Sequence, residues 1–254
     1  MRTARALIVL ILALPGAASA QDGCFRLSWG TCEPLFRHNC FQGQGKYQLV
    51  LSATGISQPN LGFDFTLRLF SATNEVHCYQ IPDVWRFDDA GCQTGSRLSL
   101  GLDGVGPSCP AIKGANVREF TNYSLYDSYA YLRFSIIYDS VTPNPSTRYT
   151  LWVINFDLSH ATMGPSPPDL SSCGGAEVCT HFYVDQPILL ASTGETMLLA
   201  SCDGPVTPFG PIATWGDESC VCDEFGPRPA PGVGDCAPVA SEPLTWGKMR
   251  AMYR

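Results

Sequence analysis

Two runs of residues, 129–138 and 149–158, constrain the fold of this chain more than any other feature. Both are crowded with aromatic and β-branched side chains, which suit a pleated, half-buried surface better than a helix. The connection between them carries Pro143 and Pro145, which have no N–H to donate to a ladder and therefore lie outside it. The simplest arrangement is a long antiparallel hairpin at the centre of an all-β domain. In its first strand Ala130, Leu132, Phe134 and Ile136 face the core, while Tyr129, Tyr131, Arg133 and Ile137 face outward. In its second, Leu151 and Val153 alternate with Trp152 and Ile154, so the strand is apolar on both faces and belongs inside a sheet.

The rest of the chain repeats this rhythm. Leu61, Phe63, Phe65, Leu67 and Leu69 alternate with Asp64, Thr66 and Arg68, the pattern of a sheet with one face on the core and one on solvent. Tyr47, Leu49, Leu51 and Ala53 share a face, as do Leu27 and Trp29, Leu98, Leu100 and Leu102, and Val178, Phe182 and Val184. Two further apolar runs, 187–191 and 196–200, flank Thr193-Gly194, and a short helix fits around Pro82–Phe87. Short strands separated by turn signals predict an antiparallel all-β sandwich, with a closed barrel as the alternative.

Residues 1–20 have the form of a secretory signal: Arg2 and Arg5, an apolar stretch from Ala6 to Leu14, and Ala18-Ser-Ala20 for cleavage. That stretch is shorter than the ~20 residues that span a bilayer, so no membrane span is expected after signal removal. Losing the two arginines takes the formal net charge from −7 to −9. This acidity argues against nucleic acid or anionic lipid as partner, since both select clustered basic residues. The predicted organisation is a signal peptide at 1–20, the sandwich at 21–200 and a Pro/Gly/Cys-rich segment at 201–240. A short C-terminal helix follows at 241–254, with Trp246, Met249, Met252 and Tyr253 on one stripe. The 201–240 segment is poor in apolar surface, so it is either tied to the domain by disulfides or extends from it as a stalk.

All of the twelve cysteines lie beyond the signal, and an even number in an exported chain points to a disulfide framework of tied loops. Proximity in sequence favours Cys32 with Cys40, Cys92 with Cys109 and Cys173 with Cys179, each closing a short loop worth about 2–3 kcal/mol. Zinc is disfavoured because no C-x-x-C pair occurs; Cys220-Val-Cys222 is one residue too close.

No local catalytic signature is present. His38, His77, His160 and His181 form no H-E-x-x-H, and neither a G-x-S-x-G elbow nor a phosphate loop occurs. A polysaccharide hydrolase would need two carboxylates facing each other, drawn from Asp64, Glu75, Asp88, Asp89, Asp139 and Asp157. The acidic pairs Asp88-Asp89, Asp217-Glu218 and Asp223-Glu224 lack the spaced ligands of a calcium loop. No cofactor is expected. Tyr123, Tyr126, Tyr129 and Tyr131 with Arg133 are the candidate stacking surface for a sugar or protein partner, unless another element covers them.

The segment Leu27-Ser-Trp-Gly-Thr-Cys32 and the ending Thr245–Arg254 resemble a group of secreted bacterial cysteine-rich proteins with an immunoglobulin-like or cohesin-like β-sandwich. The resemblance implies bacterial export and fold, and no activity. The expected function is a non-enzymatic binding module outside the cytoplasm, secreted, periplasmic or on the cell surface. Its partner would be a protein or glycan of the cell envelope, and an extracytoplasmic polysaccharide hydrolase is the alternative.

Overall fold

The computed structural model describes residues 23–32, 38–71, 81–88, 91–106, 109–126, 129–169, 171–202 and 212–216. The expected signal peptide, the expected C-terminal helix and most of segment 201–240 lie outside these residues. Among them the strands are β1 (Cys24–Trp29), β2 (His38–Cys40), β3 (Lys46–Thr54), β4 (Asn60–Ser71), β5 (Leu98–Gly101) and β6 (Arg118–Leu125). They continue with β7 (Tyr129–Val141), β8 (Tyr149–Asp157), β9 (Thr180–Ala191), β10 (Thr196–Leu198), β11 (Ala200–Ser201) and β12 (Ile212–Gly216). One sheet runs β11-β1-β3-β8-β5 and the other β2-β12-β9-β4-β7-β6, with β10 beside β9. The fold is the expected all-β sandwich, antiparallel except where β11 joins β1 and β12 joins β2.

The expected long hairpin is not formed. β7 pairs with β4 and β6 in the second sheet, whereas β8 pairs with β3 and β5 in the first. The proline-bearing connection crosses from one layer to the other. The Asn144 side chain there accepts the Ser146 N–H at 2.9 Å, and the Tyr149 hydroxyl accepts the Asn144 N–H. The two strands meet face to face through the core, with the Phe134 and Trp152 rings 5.2 Å apart. Each strand's apolar payload is thus satisfied across the sandwich rather than along a shared ladder. The central position expected for β8 holds, since residues 150–154 are buried on both faces.

The core is built from the predicted inward faces, including Leu27, Trp29, Leu49, Leu51, Phe63, Phe65, Leu67, Leu69 and Leu132. Leu61 and Val178 are exceptions, Val178 because it precedes β9 and is only half-buried. Gly62 has φ +152° at a register shift, and a Cβ there would lie 2.0 Å from the Ile136 carbonyl oxygen. This bulge turns Leu61 out of the core to join Ile137, Ile188 and Leu190 in a separate apolar cluster. The helix expected around Pro82–Phe87 is a single 3-10 turn, Asp83–Trp85, which drives Trp85 into the core. There the Trp85 ring meets Phe156, Phe182 and Trp215 edge-on at 5.0–5.3 Å.

Trp215 belongs to β12, inside the segment read from sequence as poor in apolar surface. Within residues 212–216 that description fails. Ala213 and Trp215 are fully buried, and the Trp215 indole donates to the Ala176 carbonyl at 2.8 Å.

The pairings expected from proximity are also corrected. Cys32 bonds Cys109, Cys92 bonds Cys173, and Cys24 bonds Cys202. Their sequence separations are 77, 81 and 178. Cys179 is disulfide-bonded as well, and its partner is not Cys173. The bridges join segments that the sandwich brings together from distant parts of the chain. Cys32–Cys109 packs with Val50 on the outer side of the first sheet, and the Thr150 hydroxyl donates to the Cys109 carbonyl at 3.0 Å. Bridges of this kind persist in oxidising compartments. Among the described residues no helix is long and apolar enough to cross a membrane.

Candidate functional site

Alternation along β4, β7 and β9 places the residues between the core positions on the outer face of the second sheet. Across these strands Arg68 lies opposite Tyr131 and Tyr183, Thr66 opposite Arg133 and Asp185, and Phe70 opposite Tyr129 and His181. The predicted residues Tyr129, Tyr131 and Arg133 therefore sit together. Arg68, Asp185, Tyr183 and His181 join them.

Asp64, Thr66 and Arg68 were expected to point into solvent. They occupy the outer face, but Arg68 is only 2% exposed and Asp64 4%. β4 is flanked on both sides, so long side chains from β7 and β9 close over it. The Arg68 guanidinium carbon lies 5.4 Å from the Tyr131 ring centroid and 5.6 Å from that of Tyr183, a cation–π clamp from two strands. Its Nη2 donates to Asp185 Oδ2 at 2.5 Å. Two residues along β4, Asp64 accepts a hydrogen bond from Ser135, and Arg133 Nη2 lies 3.6 Å from its Oδ2. Two ion pairs thus engage the buried Arg68 and Asp64 with partly exposed partners from β9 and β7.

Burial acts on the titrating groups here. It raises the Asp64 carboxyl above the usual carboxylate range, and the Ser135 and Arg133 contacts only partly oppose it. It lowers His181 to about 4, so that this imidazole is neutral near pH 7. Tyr131 rises to about 12, through desolvation first and then its hydroxyl contact with Tyr129. Several buried nitrogens lack a hydrogen-bond partner among the described residues: Arg68 Nε and Nη1, Arg133 Nε and His181 Nδ1.

Beside the clamp, Tyr126, Tyr129 and Tyr131 form a compact aromatic group. Tyr126 stacks on Tyr129 at 4.8 Å, and Tyr131 meets the two rings at 5.0 and 5.1 Å. Tyr126 is 47% exposed, so the group opens to solvent at one side. Tyr123 does not belong to it. Its hydroxyl donates to the Trp85 carbonyl at 2.8 Å and its ring packs on Phe87, placing it on the inner side. Ile137 shares the outer face but sits farther along, in the apolar cluster with Ile188.

The acids considered for hydrolysis lie on separate elements. Asp64 is in β4, Asp139 near the end of β7, Asp157 at the end of β8 and Asp88 after the 3-10 turn. Glu75 and Asp89 lie outside the described residues, as does His77. Among the described residues no group of three or more His, Cys, Asp or Glu could hold a metal ion.

Arg68 and Asp185 were missed as site residues. The parity of β4 put Arg68 on the outer face, but nothing local says that β7 and β9 flank it.

No family model matches the chain and no curated protein matches it. Among solved structures it is similar to a type II cohesin domain from the cellulosome of Acetivibrio cellulolyticus, at 11% identity and a TM-score of 0.38. That match covers 76% of this chain and 94% of that one. It is also similar to a cohesin module from a family 33 glycoside hydrolase of Clostridium perfringens, with 7% identity, TM-score 0.35, and coverage of 78% and 99%. A third is a non-cellulosomal cohesin from Archaeoglobus fulgidus, with 8% identity, TM-score 0.29, and coverage of 76% and 89%. At these identities and scores the likeness carries no site residue over to this chain.

Proposed function

We propose that this protein is an exported, non-enzymatic binding module whose ligand surface is the outer face of the second sheet around Tyr129, Tyr131 and Arg133. The observation that carries this reading is the solvent-opening tyrosine group set beside two crossed Arg–Asp pairs. Tyrosine and arginine supply large contact area together with directional hydrogen bonds, and both are enriched where proteins bind partners. Apart from Tyr126, which follows β6, the side chains stand on paired strands, a base that lowers the entropy lost on binding. The disulfides fit action outside the cytoplasm, where such bridges persist.

The test compares the protein with the double variant Tyr131→Ala/Arg133→Ala against immobilised peptidoglycan, glycans and envelope extract. Retention by the protein and its loss in a still-folded double variant is the expected result. Equal retention by the two would remove this face from the function.

A further inference from the structure

We infer that the outer face around Arg68 and Arg133 takes a neutral saccharide, one sugar ring lying against the Tyr126–Tyr129–Tyr131 group. This deepens the binding reading above and rests on it. Three observations converge. The first is charge closure. Arg68 is paired with Asp185, and Arg133 stands 3.6 Å from Asp64, so the face has charges of both signs already engaged. An anionic ligand would meet Asp185 and Asp64, and a cationic one would meet the two arginines. Either would have to break an ion pair whose inner member, Arg68 or Asp64, is buried, where charge interactions are stronger than in water.

The second is a surplus of donors. Arg68 Nε and Nη1 and Arg133 Nε have no hydrogen-bond partner among the described residues. Leaving such groups unpaired is unfavourable, and an incoming acceptor oxygen removes that penalty. Arg68 is covered by Tyr131 and Tyr183, whereas the Arg133 side chain is 29% exposed and that of Asp185 18%. A ligand therefore approaches over Thr66, between Arg133 and Asp185, and meets Arg133 first.

The third is the aromatic wall, open at Tyr126. A sugar ring brings acceptor oxygens for the guanidinium groups and donor hydroxyls for the carboxylates. It also brings an apolar C–H face for the tyrosines, and no net charge. Peptide backbone supplies the polar groups without that apolar face.

The experiment titrates the full-length mature protein, disulfides intact, with maltohexaose, chitohexaose and xylohexaose into the millimolar range. Hexagalacturonate and a blocked tetra-alanine peptide serve as controls. The readouts are the arginine Nε–H and tyrosine ring resonances. At least one neutral oligosaccharide should give saturable shifts at Arg68, Arg133 and Tyr126. Tyr126→Ala, a change at an exposed ring that leaves the core untouched, should weaken binding about two- to tenfold. Arg133→Gln should weaken it as well.

Saturation by none of the neutral sugars overturns the inference, as does saturation only by hexagalacturonate or the peptide. Sugar binding indifferent to both Tyr126→Ala and Arg133→Gln also overturns it, because the site would then lie elsewhere. If no sugar binds but envelope retention is still lost in Tyr131→Ala/Arg133→Ala, the saccharide class fails and the binding face stands. If retention is unchanged too, both fail.

Discussion

Replacing Cys32 and Cys109 together by alanine opens a bridge between residues separated by 77 positions. In the chain-entropy account a loop of that length contributes about 4.5 kcal/mol, against about 2.5 kcal/mol for the eight-residue loop that Cys32–Cys40 would have closed. Against a typical domain stability of about 5–15 kcal/mol, the larger figure is a substantial fraction. For a chain of this size each kcal/mol moves Tm by roughly 2–4 °C, giving a fall of about 9–18 °C. Both sulfurs are buried beside Val50, so the lost packing acts in the same direction. The single changes Cys32→Ala and Cys109→Ala should each destabilise about as much as the double, since either opens the same bond. Chemical denaturation of the four proteins, with a non-reducing peptide map of the parent, gives the answer. A Cys32–Cys40 peptide in the map, or a double variant within about 1 kcal/mol of the parent, would refute the long-range bridge and the layer geometry that creates it.

Asp185→Asn leaves the 2%-exposed Arg68 charge without its carboxylate and should cost about 3 kcal/mol. Arg68→Met leaves Asp185, 18% exposed and able to hydrate, and should cost less. Equal losses in urea unfolding would show that burial does not set the asymmetry. His181 is held neutral with its folded value near 4, below the unfolded value of 6.5. The unfolded chain therefore binds more protons in that window, and stability is full above pH 6.5 and falls toward pH 4, by up to about 3 kcal/mol. The raised Asp64 carboxyl has the opposite sign in its own window. The fall should accordingly be read as the difference between the protein and His181→Phe, and parallel pH profiles for the two would dismiss it. Trp215→Ala should cost about 3–5 kcal/mol, because the indole meets Trp29, Tyr47 and Trp85 rings and donates to Ala176. A loss below about 1 kcal/mol in thermal unfolding would mean that β12 does not belong to the core.

The sequence alone determined which side of β4, beyond its bulge, and of β7 faces inward. Phe63, Phe65, Leu67 and Leu69 on β4, and Ala130, Leu132, Phe134 and Ile136 on β7, are core residues as alternation predicts. It also placed Tyr129, Tyr131 and Arg133 together on the opposite face. That information is local, because successive side chains of an extended backbone point to opposite sides whatever the neighbours are.

Which strand lies beside which is a long-range choice, and only the tertiary structure made it. The chain carried no sign that β7 and β8 enter different sheets, or that Cys32 meets Cys109. It gave none that residues 212–216 return to complete the core through Trp215. Leu61 was misplaced for a related reason, since a single bulge at Gly62 reverses a parity that the residue pattern cannot register. Arg68 shows the same division at the candidate site. Its outward direction follows from β4 alone. Its burial follows from β7 and β9, whose Tyr131 and Tyr183 close over it only because hydrogen bonding between distant segments sets those strands on either side.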